Sequence, residues 1–529
     1  MALVTQVGVR RSVEEGEYLF REGDVSYDFF VLISAEADIV VSVDDAERVI
    51  VHHGPGRFLG ELNMLSGLRV FVSARVVTAG EVVVVSRDQL RQLMATKPQL
   101  GDIILAAFVA RRGLLMTGAA PAVRVIGSQF SPESLRIREF LVRTHVPHEW
   151  LDADGDPQVE ALLAHFSIAT TELPVVVATG TVLRRTTPGE GASYLRLTVD
   201  SLPDRCFDLL VIGGGPAGLA AAVYGASEGL RTLGVEMLAP GGQAGMSSRI
   251  ENYLGFPMGV SGAELTGRAI IQAEKFGATL TAPCTAASLG SRAGYLVARL
   301  TDGSEVAGRA VIAATGASYR RLEASRLGDF EGNGVYCAAT EMEARMCGVS
   351  PVVVVGGGNS AGQAAIFLSQ GGCAVTLVIR GPDLGKDMSR YLVERIEADP
   401  LITLRSRTTV VALDGDETLR TVQLQGPEGS VVLPCAGLFS FIGADPSSGW
   451  LNGCAALDDR GFVLTDLSLS PDQLGQDWQT LAPSPLPFET SRPGLFAVGD
   501  LRSGSMKRVA AAVGEGSASV RSVHQYLAF

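Results

Sequence analysis

Short apolar runs recur along the whole chain, but what separates them changes with position. In residues 1–115 they alternate with Gly-Asp and Gly-Pro turns and end in the apolar-periodic stretch QLGDIILAAFVARRGLLM. That pattern predicts a small β-roll or barrel closed by a helix. The small-residue, Pro-containing stretch MTGAAPAV (116–123) reads as a linker. Residues 122–199 then run strand (VRVIG), helix (SPESLRIREFLVRT), helix (DPQVEALLAHF), strand (PVVVAT), a turn and a last helical stretch. From 204 to 529, strands and helices alternate around glycine-rich turns, which predicts α/β layers.

Composition narrows the class. A chain of 529 residues is too long for one core, and a prior of about 150 residues per domain gives three or four. The sequence is 47% hydrophobic with 62 glycines, which fits packed α/β layers rich in tight turns. With 44 basic and 57 acidic residues the net charge is −13, which argues against nucleic acid or an anionic membrane as the main partner. The start, MALVTQVGVR, lacks the pattern of a signal peptide, and no apolar run approaches the roughly 18 residues of a membrane helix. Seven scattered cysteines do not form a secreted disulfide framework, so a cytoplasmic address is expected. His52 and His53 have no acid or cysteine at ligand spacing, and no metal site is expected.

Two glycine motifs carry the chemistry. FDLLVIGGGPAGLAAAVYGASEG is a strand running into Gly213, Gly215 and Gly218 and then a helix. The first glycine makes the tight turn, the second admits a pyrophosphate to the backbone, and the third lets helix pack on strand. Glu236 follows at the end of the next apolar run, where a carboxylate accepts from a ribose hydroxyl. The second copy, VVVVGGGNSAGQAAIFLSQ, has Gly356 and Gly358, with Asn359 and Ser360 opening the helix and Ala361 as the tolerated third small residue. Its next strand ends in Arg380 where the first copy has Glu236. An arginine pairs with a 2′-phosphate that an acid would repel. The first motif therefore suits FAD and the second NADPH; Lys386 could add charge or be an ordinary solvated lysine.

With these motifs in order, residues 204–529 resemble a thioredoxin-reductase-type pyridine-nucleotide flavoprotein of Rossmann-type α/β fold. The matching stretches are IGGGPAG, GGQAG with IENYLGFP, ATG at 314–316, GGGNSAGQAA and LFAVGD. The resemblance implies a discontinuous FAD domain (204–330 and 439–529) with the NADPH domain (331–438) inserted. It places Gly242, Gln243, Asn252 and Gly316 near the flavin, Gly499 and Asp500 at the ribityl chain, and Arg508 and Val509 at the pyrimidine edge.

The redox pair of that family is Cys-x-x-Cys, but this chain reads YCAAT at 336–340, so Thr340 stands where the second cysteine belongs. Cys347 is no substitute. EMEARMCG reads as a helix, and ten mostly helical residues span roughly 15 Å, against the 7 Å or so a disulfide tolerates between Cα atoms. No catalytic residue is assigned.

Residues 122–199 resemble a glutaredoxin- or thioredoxin-like domain in element order, with Pro174 as the candidate cis-proline. Ser128 and Ser131 stand near the positions of its cysteines, so a redox-silent adaptor is implied. GEYLFREGD (16–24) and FLGELNMLSGLRVFVSARVV (58–77) resemble a cyclic-nucleotide-binding domain over residues 1–115. There Gly60, Glu61 and Leu62 match the phosphate helix, Arg69 the phosphate arginine, and the large Phe71 is placed to fill the pocket.

The expected protein is a cytoplasmic, homodimeric NADPH-dependent FAD oxidoreductase with an acceptor other than its own dithiol, open to control by a cyclic nucleotide. A ferredoxin-, flavodoxin- or quinone-type NADP reductase is the rival enzyme. A cyclic-nucleotide sensor with structural FAD is the rival from another class.

Overall fold

The computed structural model describes residues 2–528 except 25–26, 44–45, 61–63, 65–68, 118–122, 145, 155–158, 160–161, 165–167, 179–180, 200–201, 203–204, 248, 251, 332–333, 337–338, 340, 386–387, 417, 475–477 and 479–483. The chain divides into two compact units. One comprises Met1–Val211, Ala222–Pro240 and Ile270–Arg309, and the other Ile212–Ala221, Gly241–Ala269 and Ala310–Phe529.

The first unit opens with α1 (Ala2–Val7), then β1 (Val9–Val13), β2 (Tyr18–Phe20), β3 (Phe29–Leu32), β4 (Glu36–Val43), β5 (Ala46–His53), β6 (Phe58–Leu59), β7 (Ser73–Thr78) and β8 (Gly80–Val85). These form two antiparallel sheets, ordered β1-β8-β3-β6 and β2-β7-β4-β5. All four residues of β3 are buried, and Phe29, Leu32, Leu59 and Val82 form a core with Ile104 and Phe108. The expected β-roll is closed by two helices, not one: α2 (Arg87–Thr96) and α3 (Pro98–Thr117). Ser86 and Gln89 form a capping box that starts α2. Pro98, which lacks an N–H, begins the next helix without loss of a hydrogen bond.

The following segment has β9 (Val123–Gly127), α4 (Pro132–Arg143), β10 (His148–Asp152), β11 (Val175–Ala178), β12 (Thr181–Leu183) and α5 (Pro188–Leu195). The sheet order is β10-β9-β11-β12, with β10 parallel and β11 antiparallel to β9. Ser131 caps α4, its Oγ accepting from Ser134 N at 3.2 Å, and Pro132 follows at the first helical position. The Leu173–Pro174 bond before β11 is cis. Most of the helix expected over DPQVEALLAHF falls outside the described residues.

A mixed sheet follows, in the order β15-β14-β13-β18-β17-β16. Its strands are β13 (Cys206–Ile212), β14 (Thr232–Val235), β15 (Thr279–Thr281), β16 (Ala286–Arg292), β17 (Tyr295–Leu300) and β18 (Glu305–Ala313). Leu209 to Ile212 are at most 2% exposed, which is why the second half of β13 reads as an unbroken apolar run. Helix α6 (Pro216–Ser227) leaves the turn after β13, and α7 (Gly262–Phe276) precedes β15.

Within the second unit, the last residues of β18 pair in parallel with β29 (Leu495–Ala497). Strands β19 (Ala317–Tyr319) and β28 (Ala444–Pro446) pair with each other. A parallel sheet runs β20-β27-β21-β22-β23. These strands are β20 (Val335–Tyr336), β21 (Val352–Val355), β22 (Val375–Val378), β23 (Ile402–Arg405) and β27 (Gly437–Ser440). With it are α8 (Glu341–Cys347), α9 (Asn359–Gln370), α10 (Arg390–Ala398) and an antiparallel sheet of β24 (Thr409–Gly415), β25 (Leu419–Gly426) and β26 (Gly429–Pro434). The chain ends in α11 (Val509–Leu527). No described helix is long and apolar enough to cross a membrane.

Candidate functional site

In the second unit, the turn after β13 is fixed by sterics. Gly213 has φ 110°, and a Cβ there would lie 2.3 Å from the carbonyl oxygen of Ala314. Only glycine adopts that conformation at that approach. Gly241 N donates to Gly214 O at 2.7 Å and brings the GGQAG loop onto the turn. A Cβ on Gly242 would sit 2.7 Å from Gly215 Cα, so the two backbones meet side by side. Gly215 itself faces open space: an added Cβ would find only Gly242 Cα, at 3.9 Å. Gly218 lies buried inside α6, whose first amides have no intrahelical acceptor.

Around this cradle the remaining expected residues take defined places. Gln243 Nε2 donates to Ala317 O. Gly316 (φ 63°) accepts from Ser447 N at 2.9 Å, while Thr315 Oγ1 donates to Ser447 O at 2.8 Å. Gly499 (φ 69°) is buried, Asp500 is half-buried, and burial pushes the Asp500 carboxyl up while Lys507 pulls it back. Arg508 is the exposed N-cap of α11, Val509 is its first residue, and Asn252 is exposed. Glu236 belongs to the first unit, where it closes β14 and its Oε1 accepts from Leu238 N at 3.2 Å.

Two residues of this region carried no sequence signal. Glu515, on α11, accepts from Gly499 N at 2.7 Å, and Arg502 forks onto it through Nε (3.1 Å) and Nη2 (2.7 Å). The pair holds the Gly499–Asp500 turn against α11. The Arg502 and Glu515 side chains are 20% and 12% exposed, respectively. Thirteen residues apart, they read in sequence as ordinary surface charges.

The second cradle lies at the end of β21. Gly356 has φ 145°, and a Cβ there would meet Phe441 O at 2.4 Å and Ala361 Cβ at 3.1 Å. Gly358 is the N-cap of α9 and supplies no side-chain cap. Asn359 Oδ1 accepts from Ser389 N at 2.7 Å, Ser360 is exposed and Ala361 is fully buried. Arg380 is exposed just beyond β22, and Lys386 lies outside the described residues. Both cradles present backbone amides at the start of a twelve-residue helix, the arrangement that receives a dinucleotide pyrophosphate. The residues present fit two such groups.

Cys337 and Thr340 lie outside the described residues. Cys347 ends the expected helix, here α8, and is 3% exposed; burial, Cys373 and Glu343 push its thiol up to about 12. Cys435 is likewise pushed up to about 12 by burial. A thiol that stays protonated is a poor nucleophile, so both behave as small core residues. Among the described residues no His, Cys, Asp and Glu group is placed to hold a metal.

In the N-terminal module, Gly60 (φ 150°) accepts from Arg111 Nη1 at 2.5 Å, and Glu61 and Leu62 lie outside the described residues. Arg69 donates from Nε to Tyr194 O (2.5 Å) and from Nη1 to Gly23 O (2.9 Å). Phe71 lines the cleft at Arg69 without belonging to the core of its own module. Its side chain joins the core of the next segment with Val123, Val125, Ile137 and Phe140.

Residues 207–516 match the family model of pyridine nucleotide-disulphide oxidoreductases, and residues 10–97 that of the cyclic nucleotide-binding domain. The chain is 32% identical over 337 residues to thioredoxin reductase 1, mitochondrial, of Arabidopsis thaliana, covering 60% of this chain and 83% of that protein. It is 31% identical to the thioredoxin reductase of Treponema pallidum, covering 61% of this chain and 97% of the other. Among solved structures, Lactococcus lactis thioredoxin reductase in the FR conformation superposes with a TM-score of 0.54 at 26% identity. That match covers 61% of this chain and 99% of that one. The chain therefore belongs to the pyridine nucleotide-disulphide oxidoreductase family, as a thioredoxin-reductase-like member with a cyclic nucleotide-binding domain at its N-terminal end.

Proposed function

We propose that the protein is an NADPH-oxidising FAD oxidoreductase that hands electrons to an acceptor other than an internal dithiol. One observation carries the reading: two steric cradles, at Gly213–Gly215 and Gly356–Gly358, stand in a reductase frame whose sequence has Thr340 in place of the second redox cysteine. When bound, the flavin accepts hydride from the nicotinamide and releases electrons singly or in pairs; the chain supplies position and electrostatics. Gly215 and Gly242 leave the backbone bare for the pyrophosphate, Gln243 and Asn252 line the flavin side, and Asp500 receives the ribityl hydroxyls. Glu236 takes the adenosine ribose. Arg380 takes the 2′-phosphate at the second cradle.

The segment from Val123 to Leu195 supports a thioredoxin- or glutaredoxin-like adaptor. Its sheet order, its parallel first pair and the cis Leu173–Pro174 bond suit that fold. Ser128 Oγ donates to Asp154 Oδ2 at 2.6 Å where such a fold would carry a thiolate.

Steady-state NADPH oxidation with a panel of disulfide, quinone, ferredoxin and flavodoxin acceptors tests the assignment. Turnover is expected with at least one acceptor and should survive Cys337→Ser. If Cys337→Ser abolished turnover, a single-thiol route would replace this one. No turnover with any acceptor, with FAD bound, would favour the sensor with structural flavin.

Nucleotide preference is a separate measurement. A charge-assisted contact is worth about 1.5–3 kcal/mol, so Arg380→Ala should narrow the NADPH/NADH ratio of kcat/KM roughly ten- to a hundredfold. An unchanged ratio would move the phosphate contact to another cation.

A further inference from the structure

Arg69 stands where the cyclic-nucleotide-binding domain keeps its phosphate arginine, yet here its guanidinium is engaged by the chain itself. Nε donates to Tyr194 O at 2.5 Å, Nη1 donates to Gly23 O at 2.9 Å, and the guanidinium carbon lies 4.9 Å from the Tyr194 ring centroid. Tyr194 is in the last turn of α5, which ends at Leu195 with Arg196 in the left-handed conformation (φ 62°). Carbonyls of a last helical turn lack intrahelical donors and carry the negative end of the helix dipole. The Tyr194 carbonyl therefore offers Arg69 a partial negative charge and a hydrogen-bond acceptor, which is what a phosphate oxygen offers.

We propose that the end of α5 occupies the phosphate position of the N-terminal module, so that docking of the segment carrying α5 and binding of a phosphate ester at Arg69 exclude each other.

Three further observations support the exclusion. The side-on grip of a guanidinium on a phosphate uses Nε, and Nε is taken by Tyr194 O. Two residues on, Phe71 is 4% exposed in the core of the docked segment, where an aromatic ring is a large single contribution to the contact. The Arg112 guanidinium lies over the same ring, 5.7 Å from its centroid. The cleft at Arg69 is also lined by Glu22, Gly23, Phe71, Tyr194 and Leu195, and the Glu22 carboxylate repels an entering anion. An anion that takes the side-on grip on Arg69 must displace the Tyr194 carbonyl from Nε, so affinity is lowered by the fraction of time the clasp is open.

The module's family supplies the premise, not the reductase assignment: a failed NADPH assay would leave this proposal standing. The test is hydrogen exchange by mass spectrometry on the full chain, read at residues 186–197. Arg69→Ala and, separately, the conservative Arg69→Lys should each raise exchange there at least tenfold. Exchange within twofold of the native protein in both variants would overturn the docking role. Calorimetry with cAMP and cGMP tests the competition. Phe71→Ala, which keeps Arg69 but loosens the clasp, should bind at least one of them ten times more tightly than the native chain. Equal affinity, or no binding to either at millimolar nucleotide, would overturn it. Native protein that binds cAMP with no rise in exchange at 186–197 would do the same, and that measurement stands even where Phe71→Ala fails to fold.

Discussion

Gly215→Trp is expected to give a folded protein without its yellow colour. An added Cβ at Gly215 has Gly242 Cα, at 3.9 Å, as its only neighbour within 4 Å, so the side chain can leave the backbone there and its bulk competes with a pyrophosphate for the same bare turn. The backbone conformation is unstrained, since its φ is not in the left-handed region. Flavin absorbance near 450 nm and the melting temperature of the ligand-free protein separate the two effects. Loss of flavin with a melting temperature within about 2–4 °C, the shift of roughly 1 kcal/mol, is the expected pair. The neighbouring position behaves differently. Gly213→Ala places a methyl group 2.3 Å from a backbone carbonyl at φ 110°, which nothing short of moving the turn relieves, so folding itself should fail. Full flavin retention in Gly215→Trp would dismiss the cradle as the FAD site.

Glu515→Ala should be the most damaging change away from the cradles. It strips the acceptor from a buried Gly499 N–H and leaves the Arg502 guanidinium, 20% exposed, without its carboxylate. Breaking a buried pair by removing one partner costs about 3–5 kcal/mol, and partial exposure puts this pair near the lower end. That corresponds to a fall of about 6–12 °C in Tm, with faster release of flavin because the freed turn carries Asp500. Glu515→Gln keeps an oxygen for Gly499 N–H and should recover part of both effects. Differential scanning calorimetry and flavin fluorescence on dilution provide the two readings. Equal losses for Ala and Gln would assign the whole effect to the ion pair and none to the Gly499 contact.

What could be read from the sequence follows from how local each constraint is. Gly213 and Gly356 announced their turns because the requirement, a positive φ beside another strand's carbonyl, falls on the residue itself. β13 and β21 were visible as apolar runs because both faces are covered. Pro98 carried a local signal that the single-helix reading passed over: it starts a second helix in the N-terminal module. The long-range pairings had no such signal. Arg69 was recognisable as a candidate phosphate ligand, but its partner is a main-chain carbonyl at Tyr194, 125 positions away, and a carbonyl has no residue type to betray it. Glu515 was hidden for the same reason, since its partner at Gly499 is a backbone N–H. Phe71 looked like a pocket plug because the pattern reports its size, while the choice of core to bury it in belongs to the tertiary fold.

The parallel pairing of Val311, Ile312 and Ala313 with Leu495, Phe496 and Ala497 sets a schedule for synthesis. On the ribosome that edge of β18 is complete roughly 180 residues before its partner exists, and at about 5–20 residues per second the wait is on the order of 10–40 s. During that interval an apolar strand edge stands open to any other nascent chain. The intervening parallel sheet around β21 can form in the meantime because all its strands lie inside the gap. A chain cut short before Leu495 would keep that edge for good, so C-terminal truncations should collect in inclusion bodies.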